Sequence, residues 1–271
     1  MAIDTVRRVW ALDAPRLTVD CGILMLGTGG ENDTIPSPAF LIEHDEGLML
    51  FDTSLAGAGD PAAAYGDMAA AFQIEFPESY RLDRQIEALG YKTTDVRRIV
   101  LSHMHFDHTG GLDLFPHAQG FIGAGELRYA RTPRTLDAPF FRAEDIEAAG
   151  RISWNEVPAG YDHDMFGDGS VVLLSLPGHT PGTLGLKLRL PDESTLVLTS
   201  DAAHKRASVD LTIGMPFDVD SLHKHSALQK LKLLGTQPGT TVWISHDPED
   251  WESLRTGGAE ITSAAELAAA G

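Results

Sequence analysis

Short runs of apolar residues, separated by Gly, Pro and acidic residues, recur along the chain at the length of β-strands. Continuous or alternating apolar runs of this kind predict buried or half-buried strands. The predicted strands cover residues 18–26, 39–43, 48–51, 98–101, 171–176, 183–190, 195–199 and 240–244. Residues 44–47 join two of these strands and end on Gly47, which indicates a hairpin turn with a positive φ.

Apolar residues at helical spacing alternate with these strands. The predicted helices cover residues 81–89, 124–130, 143–149 and 221–234. Gly90 and Gly235 follow the first and the last helix and are expected to end them. Two longer connections, 57–79 and 133–142, are interpreted as loops that help to form a site rather than as linkers.

Alternating strands and helices predict an α/β fold. The composition does not shift along the chain, so we expect one domain over residues 1–271. The Ala-rich segment 260–271 is compatible with either a terminal helix or a frayed end.

The charge balance narrows the possible partners. Against 21 Lys and Arg, the 271 residues include 39 Asp and Glu, a formal net charge of −18. Nucleic acids and anionic membranes attract Lys and Arg, and the sequence contains no basic run, so we expect neither partner. With 43% hydrophobic and 22% charged residues, the chain has enough apolar material for a folded core.

Cys21 is the only cysteine, which excludes an intramolecular disulfide and a zinc site built from several thiolates. It lies in an apolar run, so we expect a buried side chain. Charged residues interrupt the apolar stretches near the N-terminus, and no run of about 18 apolar residues occurs elsewhere. These features predict a cytoplasmic location, and the sequence leaves open whether the protein is a monomer or a homodimer.

The segment Ser102–His108 contains three histidines and an aspartate directly after a predicted strand. On an extended segment, the imidazoles of His103 and His105 project to the same side. Asp107 and His108 follow and can serve a second ion. Imidazole nitrogens mixed with carboxylate oxygens suit two divalent metal ions about 3.5 to 4 Å apart. The alternative is a histidine-rich loop without a function, and the density of ligand-type residues favours the metal site.

Three later residues of ligand type also follow predicted strands. These are His179, Asp201 and His246. In layered α/β folds, binding sites collect at the ends of strands. Each residue alone would suit an ordinary polar loop, but together with the first motif they predict a shared metal site.

These motifs together resemble the metallo-β-lactamase superfamily. The resemblance rests on His-Met-His-Phe-Asp-His at 103–108, on Gly110 and Gly111, and on the three later ligand-type residues. Phe51-Asp52-Thr53 resembles the early strand-end aspartate of that family. The resemblance implies an αβ/βα sandwich, in which two mixed sheets lie between outer helices.

The resemblance also implies a dinuclear metal centre, with Zn²⁺ as the expected ion, because all ligand positions of the family's dinuclear hydrolases are filled. The implied ligands are His103, His105 and His179 for one ion, Asp107, His108 and His246 for the other, and Asp201 as the bridge.

Within the superfamily, the motif and the chain length are most similar to the N-acyl homoserine lactone hydrolases. This similarity implies a hydrolase that opens the ring of a small-molecule lactone. The alternatives are a pyridoxolactone hydrolase and a thioester hydrolase of the glyoxalase II type. A redox protein with a di-iron centre and a metal-binding protein without turnover fit the complete ligand set less well.

Further residues acquire roles through the resemblance. Asp107 would carry a proton to the leaving alkoxide. His204 stands where the lactonases commonly have a tyrosine that contacts the substrate carbonyl, and an imidazole can donate the same hydrogen bond. The alternative for His204 is a supporting or solvent-facing role. Phe106, inside the metal motif, is expected to contact the substrate. Other candidates for an apolar pocket are Phe72, Phe76, Met215 and Phe217.

Overall fold

Two mixed β-sheets stacked face to face form the centre of the protein in its computed structural model, which describes residues 6–255 and 260–261. The strands of the described residues are β1 (Val6–Ala11), β2 (Arg16–Asp20), β3 (Asn32–Pro36), β4 (Phe40–His44), β5 (Gly47–Phe51), β6 (Val96–Val100), β7 (Gln119–Gly123), β8 (Ser153–Val157), β9 (His163–Asp164), β10 (Val171–Ser175), β11 (Leu184–Arg189), β12 (Thr195–Leu198) and β13 (Thr240–Trp243).

Helices connect these strands and cover the outer faces of the sheets. They are α1 (Cys21–Leu24), α2 (Pro61–Tyr65), α3 (Asp67–Ala71), α4 (Leu82–Ala88), α5 (Phe106–Thr109), α6 (Glu126–Arg131), α7 (Ala143–Ala149), α8 (Arg206–Leu211), α9 (Ser221–Gly235) and α10 (Pro248–Leu254). Short 3₁₀ turns cover Glu78–Tyr80, Thr93–Asp95, Leu112–Leu114, Ala138–Phe140 and Ser200–Ala202.

Both large sheets contain parallel and antiparallel pairs. The first has the order β1-β4-β5-β6-β7-β8, antiparallel from β1 to β5 and parallel from β5 to β8. The second has the order β13-β12-β11-β10-β9, in which only β12 and β13 are parallel. Strands β2 and β3 form a separate antiparallel hairpin. The parallel pairs place the carboxyl ends of neighbouring strands at one edge of each sheet.

Three apolar layers hold the sheets and helices together. Side chains such as Phe40, Met49 and Leu186 fill the space between the two sheets. The outer face of the first sheet packs against α4, α6 and α7, and that of the second packs against α8 and α9. This order of layers confirms the αβ/βα sandwich. None of the described helices is long and apolar enough to cross a membrane.

The predicted elements agree with the observed ones to within two residues at either end, except for the first strand. Gly47 (φ 108°) and Gly90 (φ 89°) have the positive φ that their turns require. Gly235 is the last residue of α9 rather than the residue after it. The segment 260–271, predicted as a helix or a frayed end, lies largely outside the described residues.

The prediction of a strand over residues 18–26 is wrong beyond Asp20. The Asp20 side chain accepts hydrogen bonds from the backbone N–H groups of Gly22 (2.7 Å) and Gly30 (2.9 Å) and thereby caps the short helix α1. Cys21 begins this helix and is half-buried, so the expectation of a fully buried strand cysteine is also wrong. A strong helix cap overrides the apolar pattern here.

The apolar pattern does not predict β1, β3, β7, β8 or β9, which are short and mixed in composition. In β1, Arg7 and Arg8 interrupt the apolar residues. In β7, Gly120 leaves room for the ring of Trp154 from β8, because a Cβ on Gly120 would lie 2.3 Å from that ring. Such strands are defined by their neighbours in the sheet rather than by their own sequence.

Candidate metal centre

The segment that follows β6 brings three histidines and an aspartate to one place. His103 and His105 lie between β6 and α5, and His105 is the N-cap of α5. Asp107 and His108 lie inside α5, where the backbone N–H of His108 donates to the carbonyl of His105 (3.0 Å). His103 is completely buried, and His105 is 8% exposed. The sharp turn from strand to helix thus keeps these side chains close together.

The second sheet supplies the remaining predicted ligands at the ends of its strands. His179 lies in the turn after β10, Asp201 in the 3₁₀ turn after β12, and His246 in the turn after β13. All three are buried. The structure therefore brings together all the ligand-type residues singled out in the sequence, at the junction of the two sheets.

The two carboxylate oxygens of Asp201 divide the surrounding imidazoles into two groups. Oδ2 lies 3.6 Å from His103 Nε2 and 3.2 Å from His179 Nε2. Oδ1 lies 3.1 Å from His108 Nε2 and 2.8 Å from His246 Nε2. This division is the same as that implied by the family resemblance.

His105 and Asp107 complete the two groups. His105 Nδ1 lies 3.0 Å from His179 Nε2. On the other side, Asp107 Oδ2 lies 3.5 Å from His108 Nε2 and 3.6 Å from His246 Nε2. Each group therefore presents nitrogen and oxygen atoms that face a common point.

The donor atoms fit a divalent metal centre. Three sets of possible ligand atoms lie within 4.8 Å of one another: those of His103, His105, His179 and Asp201, those of Asp107, His108 and His246, and those of Asp201, His204 and His246. Among the described residues, the buried atom His103 Nε2 has no hydrogen-bond partner, and Asp201 Oδ1 has two imidazole nitrogens close to it but none in hydrogen-bonding geometry. Buried polar atoms without partners are rare because their desolvation is unfavourable, and a cation would satisfy them. Imidazole nitrogens with carboxylate oxygens are also a donor set that zinc accepts.

Burial and the neighbouring charges shift the pKa values of the residues in the cluster. Burial, reinforced by the nearby His108, holds the pKa of His103 well below its usual range, and burial has the same effect on His105. Burial alone would raise the pKa of Asp201, but His246 and His108 outweigh it and the pKa lies well below its ordinary value. His103 and His105 are thus neutral imidazoles beside an ionised carboxylate, the forms that bind metals. Burial opposes protonation of His108, His179 and His246 as well, but Asp201 outweighs it and raises the pKa of each.

Asp52, which follows β5, orients His108. Its Oδ2 accepts hydrogen bonds from His108 Nδ1 (2.8 Å) and Ser102 Oγ (2.8 Å), and its Oδ1 accepts one from the Ser102 backbone N–H (2.7 Å). His246 is held similarly, since its Nδ1 donates to the carbonyl of Pro36 (2.6 Å). In both histidines the Nδ1 contact leaves Nε2 to face the cluster.

Glu126 carries a fully buried carboxylate, and nothing in the local sequence predicts that it is buried. Its Oε1 accepts from the backbone N–H of Met104 (3.1 Å) and its Oε2 from that of Gly182 (2.9 Å). It therefore joins the segment between the first two histidines to the loop that follows His179. In the sequence it resembles an ordinary acidic residue in the first turn of a helix, and only the fold shows its position.

An apolar cleft opens above the cluster. The hairpin β2–β3 and helix α1 form one wall. Loops 57–79 and 133–142 contribute Phe72 and Phe140, in agreement with their interpretation as site-forming loops. The predicted pocket residues Phe106, Met215 and Phe217 also line the cleft. Phe76 does not line this cleft but packs beneath the hairpin, so its prediction as a pocket residue is wrong.

His204 lies at the floor of the same cleft and is only 5% exposed, which rules out the solvent-facing alternative. Its Nε2 lies 2.9 Å from Asp201 Oδ2, and its ring stacks on that of His246 with 5.5 Å between centroids. Burial lowers the pKa of His204 to about 4 against the opposing effect of Asp201. His204 is therefore a neutral imidazole near pH 7.

The chain belongs to the metallo-beta-lactamase superfamily, because the model of that family matches residues 32–246. The matched segment includes the whole cluster around Asp201 and the strands that carry it.

Similar proteins include named lactonases. The N-acyl homoserine lactonase AttM of Azorhizobium caulinodans is 31% identical over 233 residues, which cover 84% of this chain and 88% of AttM. An N-acyl homoserine lactonase of Bacillus cereus is 26% identical over 250 residues, which cover 90% of this chain and 95% of that lactonase. A crystal structure of a mutant of B. thuringiensis AiiA, with N-decanoyl-L-homoserine at its active site, shares the fold: the TM-score is 0.81 at 23% identity, covering 95% of this chain and 100% of that chain.

Proposed function

We propose that the protein is a dinuclear-metal hydrolase that opens the lactone ring of N-acyl homoserine lactones. The observation that carries this proposal is a buried cluster of imidazoles and carboxylates at the floor of an apolar cleft. The similarity to AttM over most of both chains supports the same substrate class.

The proposal assigns one ion to each of the two groups around Asp201. The assigned ligands are His103, His105 and His179 for the first, Asp107, His108 and His246 for the second, and Asp201 for both. Zn²⁺ is the proposed ion because imidazole nitrogens together with carboxylate oxygens are a donor set that it binds. When bound, such ions lower the pKa of water to about 7 and polarise a carbonyl group. The proposal places this single hydrolase domain in the cytoplasm.

The chain's own residues bind the substrate and move the proton. Phe106, fixed beside the ligands, contacts the substrate. His204 Nε2 lies 2.9 Å from Asp201 Oδ2, and in this proposal its N–H donates to the carbonyl of a lactone bound beside that carboxylate. Asp107 is 13% exposed and borders the cleft, so it can accept the proton of the attacking water and pass it to the ring oxygen as the C–O bond breaks.

The lining of the cleft favours a neutral acyl chain over an anionic thioester. Among the described residues that line it, none is Lys or Arg, and the walls are formed by phenylalanines, leucines and isoleucines. A glutathione thioester carries carboxylates that would need cationic partners. A fatty acyl chain needs only apolar surface, which this cleft provides.

The test measures turnover by purified, metal-loaded protein. Because opening a lactone to a hydroxy acid releases a proton, the rate is recorded by pH-stat titration. We expect hydrolysis of acyl homoserine lactones and little or none of a pyridoxolactone, a glutathione thioester or a β-lactam. Turnover of the thioester alone would refute the lactonase proposal.

Replacing His204 by alanine is expected to lower kcat/KM for the lactone by about 10²-fold to 10³-fold, the effect of removing one hydrogen bond to a developing oxyanion. His204→Tyr should recover much of the loss, because a phenol can donate the same bond. Metal content should stay unchanged in both variants. His225→Ala, an exposed position on α9, is the matched control. Loss of metal from His204→Ala would show that this residue supports the cluster rather than the substrate.

A further inference from the structure

Helix α9 carries a lysine on the face that it buries. Lys224 lies on the same side as Ala227, Leu228 and Leu231, which pack against the second sheet. Lys224 is 2% exposed, whereas its neighbours His223 and His225 are exposed. A buried ammonium group is strongly unfavourable unless it is paired and hydrogen-bonded, so its partners indicate why it is there.

The partners of Lys224 lead directly to the cluster. Its Nζ donates to the backbone carbonyl of Asp201 (2.7 Å) and forms an ion pair with Asp218 Oδ1 (3.2 Å). The same Asp218 oxygen lies 3.6 Å from His179 Nδ1, on the side of the ring opposite to the cluster. Asp218 Oδ2 accepts from the backbone N–H of Met215 (2.8 Å), which fixes the carboxylate.

Two glycines pack closely against this pair. A Cβ on Gly214 would lie 2.3 Å from Asp218 Oδ2. A Cβ on Gly178, the residue before His179, would lie 2.3 Å from the backbone nitrogen of Lys224. Two glycines thus allow α9 and its lysine to approach the turn that carries His179.

We propose that Lys224 and Asp218 form a positioning pair that holds His179 and Asp201 for metal binding. Asp218 faces His179 Nδ1 and so directs Nε2 to the metal, and Lys224 both balances the charge of Asp218 and anchors the backbone of Asp201. Among the described residues, His179 Nδ1 is a buried atom without a hydrogen-bond partner, and Asp218 Oδ1 is the carboxylate oxygen that faces it at 3.6 Å. Carboxylates that orient metal-bound histidines affect metal affinity by about 10-fold to 100-fold.

This inference rests on the proposed metal centre, and its test measures zinc affinity rather than lactone hydrolysis. Zinc is titrated in competition with a chelator into wild-type protein and into Lys224→Met and Asp218→Asn. We expect one of two zinc equivalents to weaken by about 10-fold to 100-fold in each variant. Lys230→Met is the matched control, because Lys230 lies on the same helix as Lys224 but pairs with Asp162, which is outside the cluster.

Loss of one charge also leaves the other buried and unpaired, which destabilises the fold. The double variant Lys224→Met/Asp218→Asn separates the two effects, since replacing both partners of a buried ion pair is often neutral for stability. We expect its unfolding midpoint without metal to return towards that of wild type while the zinc affinity stays low.

Three outcomes would contradict the proposals, and they can be told apart. Single variants that bind both zinc equivalents as tightly as Lys230→Met would overturn the positioning role. A double variant that regains zinc affinity along with stability would show that the pair is only structural. Wild-type protein that binds no zinc would instead overturn the proposed metal centre itself.

Discussion

Asp201→Ala is expected to remove tightly bound metal and to reduce lactone hydrolysis by more than about 100-fold. A residue that only orients a metal ligand changes metal affinity or activity by at most about 100-fold, and the loss of a ligand should exceed that. The reason is that the two oxygens of Asp201 contact both groups of imidazoles. Without this carboxylate, the buried histidines lose the negative charge that favours cations at this place. Metal analysis of the purified variant and initial rates on an acyl homoserine lactone measure the two effects.

Asp201→Asn provides a graded comparison, because the amide keeps one oxygen and the shape but loses the charge. It should retain metal better than alanine and less well than the wild type. Asp210→Ala, an exposed carboxylate on α8, is the control and should bind metal normally. Two tightly held equivalents in Asp201→Ala would contradict the assignment of Asp201 as the shared ligand.

Gly110→Ala is expected to destabilise the protein by about 3 kcal/mol or more, at the upper end of the cost of overpacking. Gly110 ends α5, and a Cβ at this position would lie 2.0 Å from the backbone nitrogen of Ala56. A backbone atom cannot move aside as a side chain can, so α5 must shift and displace Asp107 and His108. Denaturant unfolding of the metal-free protein measures the stability, and zinc titration measures the site.

Gly235→Ala is the matched control for this glycine substitution. Gly235 is the last residue of α9, and a Cβ at this position would make an ordinary 3.5 Å contact with the side chain of Val242. Alanine also favours a helix over glycine by about 1 kcal/mol, so this variant should be as stable as wild type or more so. Equal stability of the two variants would show that the approach between Gly110 and Ala56 is not tight in solution.

The proposed metal ligands could be singled out in the sequence because each lies in a short motif at the end of an apolar run. His103, His105, Asp107 and His108 occupy one turn, and local spacing is enough to bring them together. Local spacing alone does not predict their division into two groups around Asp201, since it depends on how the two sheets meet. The resemblance to the superfamily supplied that division in advance.

Two supporting residues, Glu126 and Lys224, could not be predicted, and the reason is the same for both. Glu126 and Lys224 occur at helix positions where charged residues are common on a solvated face. Whether such a side chain is buried depends on what the helix packs against, which the local pattern does not contain. Glu126 and Lys224 contact backbone groups 22 and 23 residues away in sequence, respectively, and only tertiary structure brings these together.

The position of the cluster between the sheets has a consequence for the molecule as a whole. Its residues come from segment 52–108 on the first sheet and from segment 179–246 on the second. Ions held by both segments would act as a cross-link between distant parts of the chain. Such binding adds its own free energy to the native state, about 4 kcal/mol when free ion exceeds the Kd by about 1,000-fold. Metal supply would then govern the lifetime of the folded protein as well as its chemistry.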